Sequence, residues 1–397
     1  MLRSLAATAF SDALSRGFFF LFNVVVARTI EPLEFGVYGL AISLGVWLWS
    51  IADAGLTGHG TRLLAQGADM GKTISAVLIA RLPVLIALFG IFSAVLLILP
   101  LSTHERLIYS TAIIYVLGMS IFPAWIARSQ HANQEYMLAY GTVALSGVFF
   151  LIIFFCGIVP TNGITASLAR TLSWLLGGVF AFYLIIKRMN FKLEWSPQKR
   201  LLRQTMPLGV AANIYNFIPL IPFSAVRIIG KDSDLATFSV MMQAQMILLA
   251  GARVFSSVLM PSYVKQIHSQ SKANRLIWKI KYFSLLFIVI FSIFLFYSIY
   301  GYNLIKILFG NTYKGIKEYL LPFALAFLCA GLRYSFDSIL IASGHYRTML
   351  ITGSIVVLLS IFFSFLATQL TFIFAWVLFL TECSLMLING VCVFLEE

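Results

Sequence analysis

Residues 26–65 read VARTIEPLEFGVYGLAISLGVWLWSIADAGLTGHGTRLLA, and the part from 35 to 57 is almost entirely apolar. A helix needs about 20 mostly apolar residues to cross the hydrocarbon core of a bilayer. Runs of this kind recur along the whole chain, which is 60% hydrophobic and only 11% charged. A water-soluble domain is typically about 25% charged. The sequence therefore predicts an integral membrane protein built from α-helices.

Breaks at polar, glycine or proline residues divide the 397-residue chain into twelve apolar runs. The runs lie at about 10–27, 35–57, 75–100, 107–127, 138–159, 164–186, 205–229, 236–262, 282–309, 319–343, 349–368 and 371–394. A polar segment separates the sixth run from the seventh. We therefore expect an all-α membrane fold of about twelve transmembrane helices, with an N-terminal six-helix bundle at 1–187, a basic cytoplasmic linker at 188–204 and a C-terminal six-helix bundle at 205–397.

The two halves of the chain resemble each other weakly. A shift of about 200 residues places Arg3 over Arg203 and lays EFGVYGLAIS over DLATFSVMMQ. Internal repeats of this kind are typical of transporters. The pattern therefore favours a transport protein made of two related bundles.

Basic residues are distributed unevenly between the two sides of the predicted membrane. With both termini in the cytoplasm, the sixteen Lys and Arg of the cytoplasmic segments are Arg3, Arg62, Lys72, Arg128, Lys187, Arg188, Lys192, Lys199, Arg200, Arg203, Lys265, Lys272, Arg275, Lys279, Lys281 and Arg347. The five in outer loops are Arg28, Arg106, Lys231, Lys314 and Lys317. Cytoplasmic loops retain Lys and Arg. We expect a multi-pass protein of the bacterial inner membrane with both termini in the cytoplasm.

Charged residues inside the predicted spans indicate where function is located. The bases there are Arg16, Arg81, Arg170, Arg227, Arg253, Lys306 and Arg333. The acids there are Asp12, Asp53, Asp337 and Glu382. An arginine in the middle of a membrane costs about 2.5 to 3.5 kcal/mol on insertion scales, and it is retained where a partner, a water cavity or a ligand offsets that cost. The surplus of bases therefore predicts an anionic ligand inside the protein.

The depth of each base separates candidate binding residues from residues that can reach the headgroups. Arg170, Arg227 and Lys306 lie near the outer face, where a long side chain can snorkel to the headgroups. Deeper in the spans are Arg16, Arg81, Arg253 and Arg333. We expect these four to converge on one water-accessible cavity and to bind substrate. Arg253 is the strongest candidate, because no acid lies four residues away on its own helix.

Two polar stripes are expected to line the same interior. In the first span the stripe is formed at helical spacing by Asp12, Arg16, Phe19 and Asn23. In the seventh span it is formed by Gly209, Asn213, Asn216 and Ser224. Asn23, Asn213 and Asn216 are therefore further substrate-binding candidates. The seventh span also contains Pro219 and Pro222, which predict a kink that serves either as a hinge or as an ordinary packing feature.

The acids in the spans are candidates for ion coupling. Asp12 with Arg16, and Arg333 with Asp337, stand at i, i+4, a spacing that brings side chains together on one helical face. Such a pair either neutralises itself or rearranges during transport. Asp53, close to the inner end of its span, is either a helix-end residue or an ion site. The ion-coupling candidates are Asp12, Asp53, Asp337 and Glu382.

No motif for catalysis, metal binding or nucleotide binding is present. The histidines lie in predicted loops, and metal-ligand spacing is absent around Cys156, Cys329, Cys383 and Cys392. The chain has no phosphate-cradling glycine loop, nucleophile elbow or HExxH sequence. We expect no catalytic residue, no metal and no cofactor. The net charge of +13 arises in juxtamembrane loops, where anionic headgroups account for it, so we expect no nucleic-acid partner.

The segment 26–65 resembles the opening of the polysaccharide (O-antigen repeat-unit) flippases of the multidrug/oligosaccharidyl-lipid/polysaccharide exporter superfamily. The residues that carry the resemblance are Arg28, Phe35, Gly36, Tyr38, Ser43, Asp53, Gly55, Leu56 and Arg62. The number of spans, the position of the termini and the layout in two halves extend the likeness along the chain. The sequence departs from the family at Ile30, Glu31 and Pro32, where such proteins usually show Leu-Gly-Pro.

The resemblance implies two six-helix bundles, related by a pseudo-twofold repeat, around a central cavity. It also implies alternating access that carries an undecaprenyl-pyrophosphate-linked oligosaccharide outward for O-antigen, lipopolysaccharide or capsule biosynthesis. Buried arginines suit this substrate, because a guanidinium binds phosphate oxygens through paired N–H groups. The expected partners are the lipid-linked oligosaccharide, membrane lipids and polysaccharide assembly proteins.

Two alternatives remain open from the sequence. A multidrug cation antiporter of the same superfamily is expected to display unpaired carboxylates in its interior rather than surplus arginines. A membrane glycosyltransferase or O-antigen polymerase usually needs a sizeable outer loop with acidic or arginine groups, whereas the predicted outer loops here are short. Both comparisons favour the flippase, which is not an enzyme.

Reporter fusions test the predicted orientation. A reporter that is active only in the cytoplasm should be active when fused after Lys187 and when fused at the C-terminus, because basic segments are retained on that side. The same reporter in the outer loop that holds Arg106 is the control and should be inactive. A periplasmic signal from either of the first two fusions contradicts the topology.

Overall fold

The computed structural model describes residues 2–129, 133–190, 192–194, 201–269, 272–313, 315–342, 345–369 and 374–395. Side chains are described at these positions except for 2–15, 128, 133, 253–269, 272–279, 282, 338, 341–342, 369 and 395. The helices are α1 (Leu2–Thr29), α2 (Pro32–Asp53), α3 (Leu56–Ala65), α4 (Met70–Ile98), α5 (Thr103–Ile121), α6 (Ala124–Ser129), α7 (Asn133–Phe155), α8 (Gly163–Met189), α9 (Leu201–Phe217), α10 (Leu220–Ile229), α11 (Asp232–Ser269), α12 (Lys272–Phe309), α13 (Ile316–Ala342), α14 (Tyr346–Gln369) and α15 (Phe374–Leu395).

Eleven of the predicted spans fall on helices suited to cross a membrane. Within the described residues, ten helices are long and apolar enough for this, and the bent pair α9 and α10 forms one more span. These correspond to the second to twelfth predicted runs. The first predicted run falls on α1, a continuous helix whose N-terminal side chains lie outside the described residues. The chain is an all-α, multi-pass membrane protein, so the predicted fold class is confirmed.

The seventh span breaks where the sequence places its prolines. α9 ends at Phe217, α10 begins at Leu220 with Pro219 at its N-cap, and the two helices are bent by 42°. Proline lacks a backbone N–H and its ring clashes with the preceding turn, which favours a kink or break in the helix. The predicted kink is therefore confirmed.

The chain divides into two compact units, Met1–Asn216 and Phe217–Glu397. This division assigns α9 to the first unit, whereas the predicted boundaries assign it to the C-terminal bundle at 205–397. Residues 191 and 195–200 of the predicted linker lie outside the described residues. The different boundary has a physical reason, which is the close packing of α9 on the first unit.

A left-handed turn in the first unit provides the surface on which α9 packs. Ala54 (φ 45°) and Gly55 (φ 76°) form this turn between α2 and α3. A Cβ on Gly55 would lie 2.9 Å from the carbonyl oxygen of Thr205, and a Cβ on Gly209 would lie within 2.7 Å of the Ala54 Cα. Small residues allow backbones to approach this closely inside a membrane. The two glycines therefore hold α9 against the turn between α2 and α3.

Aromatic side chains fill the core of each unit. In the first unit the ring of Trp174 in α8 packs edge-on against Tyr115 and Phe122 and stacks on Phe19 of α1. In the second unit Phe238 of α11 packs against Phe223 at 5.1 Å and, edge-on, against Phe323 at 5.0 Å between ring centroids. Aromatic pairs of this geometry add about 0.5–1.5 kcal/mol each to the packing.

Replacing Gly209 tests the contact that joins α9 to the first unit. Gly209→Ala should lower the free energy of unfolding by about 1–3 kcal/mol, because the added methyl overlaps backbone atoms that cannot move aside. Thermal unfolding of the purified protein in detergent measures the effect. Gly141→Ala in α7 is the matched control, since its Cβ meets nothing within 4 Å. Equal melting temperatures for the two variants contradict the proposed contact.

Candidate functional site

A buried ion pair connects four helices of the first unit. The Arg81 side chain of α4 is only 2% exposed, and its Nη2 donates to Asp53 Oδ1 at 2.5 Å and to Thr57 Oγ1 at 3.0 Å. Its Nη1 donates to the backbone carbonyl oxygen of Ser120 in α5. Thr57 also donates through its backbone N–H and its hydroxyl to the Asp53 carboxylate. The charge of Arg81 is thus paired with a fixed carboxylate, while its buried Nε has no acceptor among the described residues.

This pairing joins two residues that the sequence analysis places in different roles. Arg81 is a substrate-binding candidate and Asp53 an ion-coupling candidate, yet each is the other's partner. They are 28 positions apart on different helices, so their spacing along the chain gives no signal of the contact. Through these contacts the pair joins α2, α3, α4 and α5.

Part of the polar stripe on the first span faces the interior of the first unit. The Asn23 side chain is 4% exposed, and its Oδ1 accepts a hydrogen bond of 2.6 Å from the Tyr38 hydroxyl. Phe19 is buried as well. Arg16 is half-buried, and Tyr115 lies within electrostatic range of it. The Asp12 side chain lies outside the described residues, so its predicted pairing with Arg16 stays a prediction.

Arg170 of α8 points into the first unit, which the sequence analysis did not predict. Its guanidinium carbon lies 3.6 Å from the centroid of the Phe19 ring. Its Nε and Nη1 atoms are buried, and neither donates to an acceptor within the described part of the chain. Trp174 also contacts Phe19, and the two rings stack with centroids 5.3 Å apart. The prediction that Arg170 snorkels to the outer headgroups is therefore wrong.

The second unit contains a buried cluster of one arginine and two carboxylates. Arg333 of α13 donates through Nη1 to Asp337 Oδ2 at 2.7 Å and through Nε to Glu382 Oε2 of α15 at 2.8 Å. Asn389 Nδ2 donates to Asp337 Oδ1 at 2.8 Å. All four side chains are buried. The predicted i, i+4 pair is confirmed, and Glu382 is an additional member that brings the formal charge of the cluster to −1 when both carboxylates are ionised.

The remaining candidates are distributed over both units. Asn216 donates through Nδ2 to Ser50 Oγ at 2.9 Å in the first unit. Asn213 is half-buried, and its Oδ1 has no hydrogen-bond donor among the residues whose side chains are described. The Arg253 side chain lies outside the described residues. Arg16 and Arg81 belong to the first unit, whereas Arg253 and Arg333 belong to the second. Their convergence on one cavity therefore stays a prediction.

Most of the chain matches a known protein family. The profile of the family described as polysaccharide biosynthesis protein matches residues 1–268, which is more than half of the chain. Among curated proteins, none matches the chain by sequence.

Comparison with solved structures shows a transporter fold. An inward-facing multidrug resistance MATE family transporter of the MOP superfamily superposes with a TM-score of 0.72 at 15% identity, over 98% of this chain and 97% of that one. A MOP superfamily transporter from Pyrococcus furiosus Vc1 superposes with a TM-score of 0.73 at 13% identity, over 99% and 95%. A MATE structure in the bent conformation gives 0.67 at 13% identity, over 99% and 94%. At these identities the likeness shows the fold alone.

Proposed function

Because this chain belongs to the family of polysaccharide biosynthesis proteins, we propose that it is a flippase for a lipid-linked oligosaccharide. In this proposal the substrate is an undecaprenyl-pyrophosphate-linked repeat unit of O-antigen or capsule. It moves across the bacterial inner membrane by alternating access through a cationic cavity, and both termini of the protein lie in the cytoplasm. The established part is that the chain has a transporter fold and crosses the membrane several times.

The observation that carries the proposal is the surplus of bases over acids in the membrane. Arg81 in the first unit is compensated by Asp53, but Arg170 in the same unit forms no ion pair with any carboxylate of the described residues. A cation left in this state favours an anionic ligand, since burying a charge without a partner is costly. A pyrophosphate headgroup meets that requirement, and a cationic drug does not.

The polarity of the interior also distinguishes the two transport alternatives. For the MOP superfamily transporter from Pyrococcus furiosus, reverse polarity of the binding pocket suggests a different function. The multidrug transporters share this fold, so the fold itself supports a cation antiporter equally well. The basic surplus in the spans of our chain supports the flippase over that alternative.

The connections between helices support a transporter over a membrane glycosyltransferase or polymerase. The segments that join α4 to α5, α7 to α8 and α10 to α11 are short, and the capping box of Ser102 and Glu105 begins α5 directly after α4 ends. A catalytic outer loop has little room in these connections. Substrate handling is therefore assigned in this proposal to the helices themselves.

We further propose that the cluster of Arg333, Asp337 and Glu382 couples transport to an ion gradient. Two carboxylates share one guanidinium, so the cluster is neutral only when it takes up a proton or another monovalent cation. The low dielectric constant of the interior makes the neutral state favourable. Asp12 and Asp53 are weaker candidates, because Asp53 already pairs with Arg81 and the Asp12 side chain lies outside the described residues.

Deletion of the gene in its native host tests the proposed substrate. Cells without the protein should lose their surface polysaccharide and accumulate lipid-linked repeat units on the cytoplasmic side, with unchanged susceptibility to cationic drugs. Loss of drug efflux with normal surface polysaccharide would indicate the antiporter. Single repeat units that reach the surface without chain extension would indicate a polymerase.

Substitutions in the charged cluster test the coupling role. Glu382→Gln removes the excess negative charge, so the variant should keep its stability but lose the dependence of flipping on an ion gradient in vesicles. Arg333→Met strands two buried carboxylates and should cost about 3–5 kcal/mol of stability. Glu194→Gln is the control, because Glu194 belongs to an exposed pair with Lys72. Normal gradient dependence in Glu382→Gln contradicts the coupling role.

A further inference from the structure

Arg170, a half-buried residue, differs from the buried Arg81 and Arg333 in what surrounds its guanidinium. Arg81 is held by a carboxylate, a hydroxyl and a backbone carbonyl, and Arg333 is held by two carboxylates. Arg170 makes a cation–π contact with Phe19, while its buried Nε and Nη1 have no acceptor among the described residues. Arg81 also has a buried Nε without an acceptor, but its charge, like that of Arg333, is paired with a carboxylate. Among the described residues, Arg170 has no such carboxylate.

The cost of this arrangement is considerable. A buried charged donor without an acceptor loses its hydrogen bonds to water and gains none in return. A cation over an aromatic ring recovers only part of that loss, about 0.5–2 kcal/mol. An arginine with a purely structural role would be more stable beside a carboxylate acceptor, as Arg81 is beside Asp53.

The position of Arg170 is fixed by the helix that carries it. α8 begins at a capping box of Asn162 and Thr165, and Glu34 of α2 accepts a hydrogen bond of 2.7 Å from the backbone N–H of Gly163. One turn before Arg170, the hydroxyl of Ser167 is hydrogen-bonded to that of Thr111 in α5. The backbone of α8 is therefore held on both neighbouring helices, and only the side chain of Arg170 is left to change partner.

The groups around Arg170 favour an anion. Tyr38 and Tyr115 lie within electrostatic range of the guanidinium. The Tyr38 hydroxyl already donates to Asn23, so the phenolic donor for an anion is the hydroxyl of Tyr115. Tyr115 is also within range of Arg16, so a second cation acts on the same region. The Arg170 guanidinium and a neighbouring phenolic donor match the oxygens of a phosphoryl group, which arginine binds through paired N–H groups.

We infer that Arg170 is the binding group of the first unit for a phosphoryl anion, and that Phe19 holds its guanidinium in place until the anion displaces the ring. In the absence of the ligand, the Phe19 ring occupies the Arg170 guanidinium through the cation–π contact, so the ring and the anion compete for the same cation. The inference rests on the proposed function for its biological ligand, the pyrophosphate of a lipid-linked sugar. The shared chemistry is a phosphate-type anion, whether free or attached to a prenyl chain.

Substitutions at the two residues have opposite expected effects on binding. Arg170→Gln should weaken the binding of farnesyl pyrophosphate more than tenfold, and Arg170→Lys should retain part of the affinity, because it keeps the charge but not the fork. Phe19→Leu should tighten binding about 2- to 30-fold, since the anion no longer has to displace a cation–π contact. Arg203→Gln on the exposed start of α9 is the charge control and should bind as wild type does.

Equilibrium titration of the purified full-length protein in lipid-free detergent provides the measurement. Quenching of tryptophan fluorescence reports binding, and its loss in Trp174→Phe assigns the signal to the ring that stacks on Phe19. Inorganic pyrophosphate and farnesol are titrated in parallel. Equal binding of inorganic and farnesyl pyrophosphate identifies a general anion site. Binding of farnesyl pyrophosphate alone identifies a lipid-headgroup site. Each outcome supports the inference if the binding depends on Arg170.

Binding that is unaffected by Arg170→Gln and Arg170→Lys overturns the inference, as does weaker binding by Phe19→Leu with an unchanged melting temperature. A purely structural contact predicts that Arg170→Gln and Phe19→Leu both lower the melting temperature and leave the affinities equal. Anion binding through Arg170 without polysaccharide export in cells would refute the flippase and leave this site standing. Polysaccharide export together with anion binding that does not depend on Arg170 would refute this site and leave the flippase proposal standing.

Discussion

The energetic cost of a charge inside a bilayer is the constraint on which the rest of this structure depends. A guanidinium placed there needs acceptors, and for Arg81 and Arg333 the protein provides them by joining helices that are far apart in sequence. Arg81 joins α2, α3, α4 and α5, and Arg333 joins α13 to α15. The same contacts therefore neutralise these charges and fix the positions of the helices that carry them.

The same constraint separates structural charges from functional ones. An arginine whose charge is paired with a fixed carboxylate has little capacity for an anionic ligand, and its removal leaves the carboxylate uncompensated. An arginine that rests on an aromatic ring keeps its N–H groups available at a moderate cost. Within the first unit, Arg81 represents the first type and Arg170 the second. The sign of the uncompensated charge is what favours an anionic substrate over a cationic drug on a fold that both kinds of transporter share.

The sequence was sufficient for features that depend on one helix at a time. Apolar run length located the spans, the prolines located the break between α9 and α10, and i, i+4 spacing identified the pair of Arg333 with Asp337. The pairing of Arg81 with Asp53, the addition of Glu382 and the inward direction of Arg170 depend on how each helix is rotated about its axis. Lipid-facing and core-facing surfaces are both apolar in a membrane protein, so hydrophobic periodicity carries little information about that rotation.

The membership of α9 in the first unit bears on how the chain is made. Ribosomal synthesis releases α1 to α8 before α9, so the turn at Ala54 and Gly55 has no partner until residues beyond Gly209 have entered the membrane. The first unit can be completed only after synthesis has passed the polar segment at 188–204. The helix that closes it is the first one of the second sequence half. The two halves of the sequence are therefore not independent folding units, because the first unit lacks one of its helices until the next span has been made.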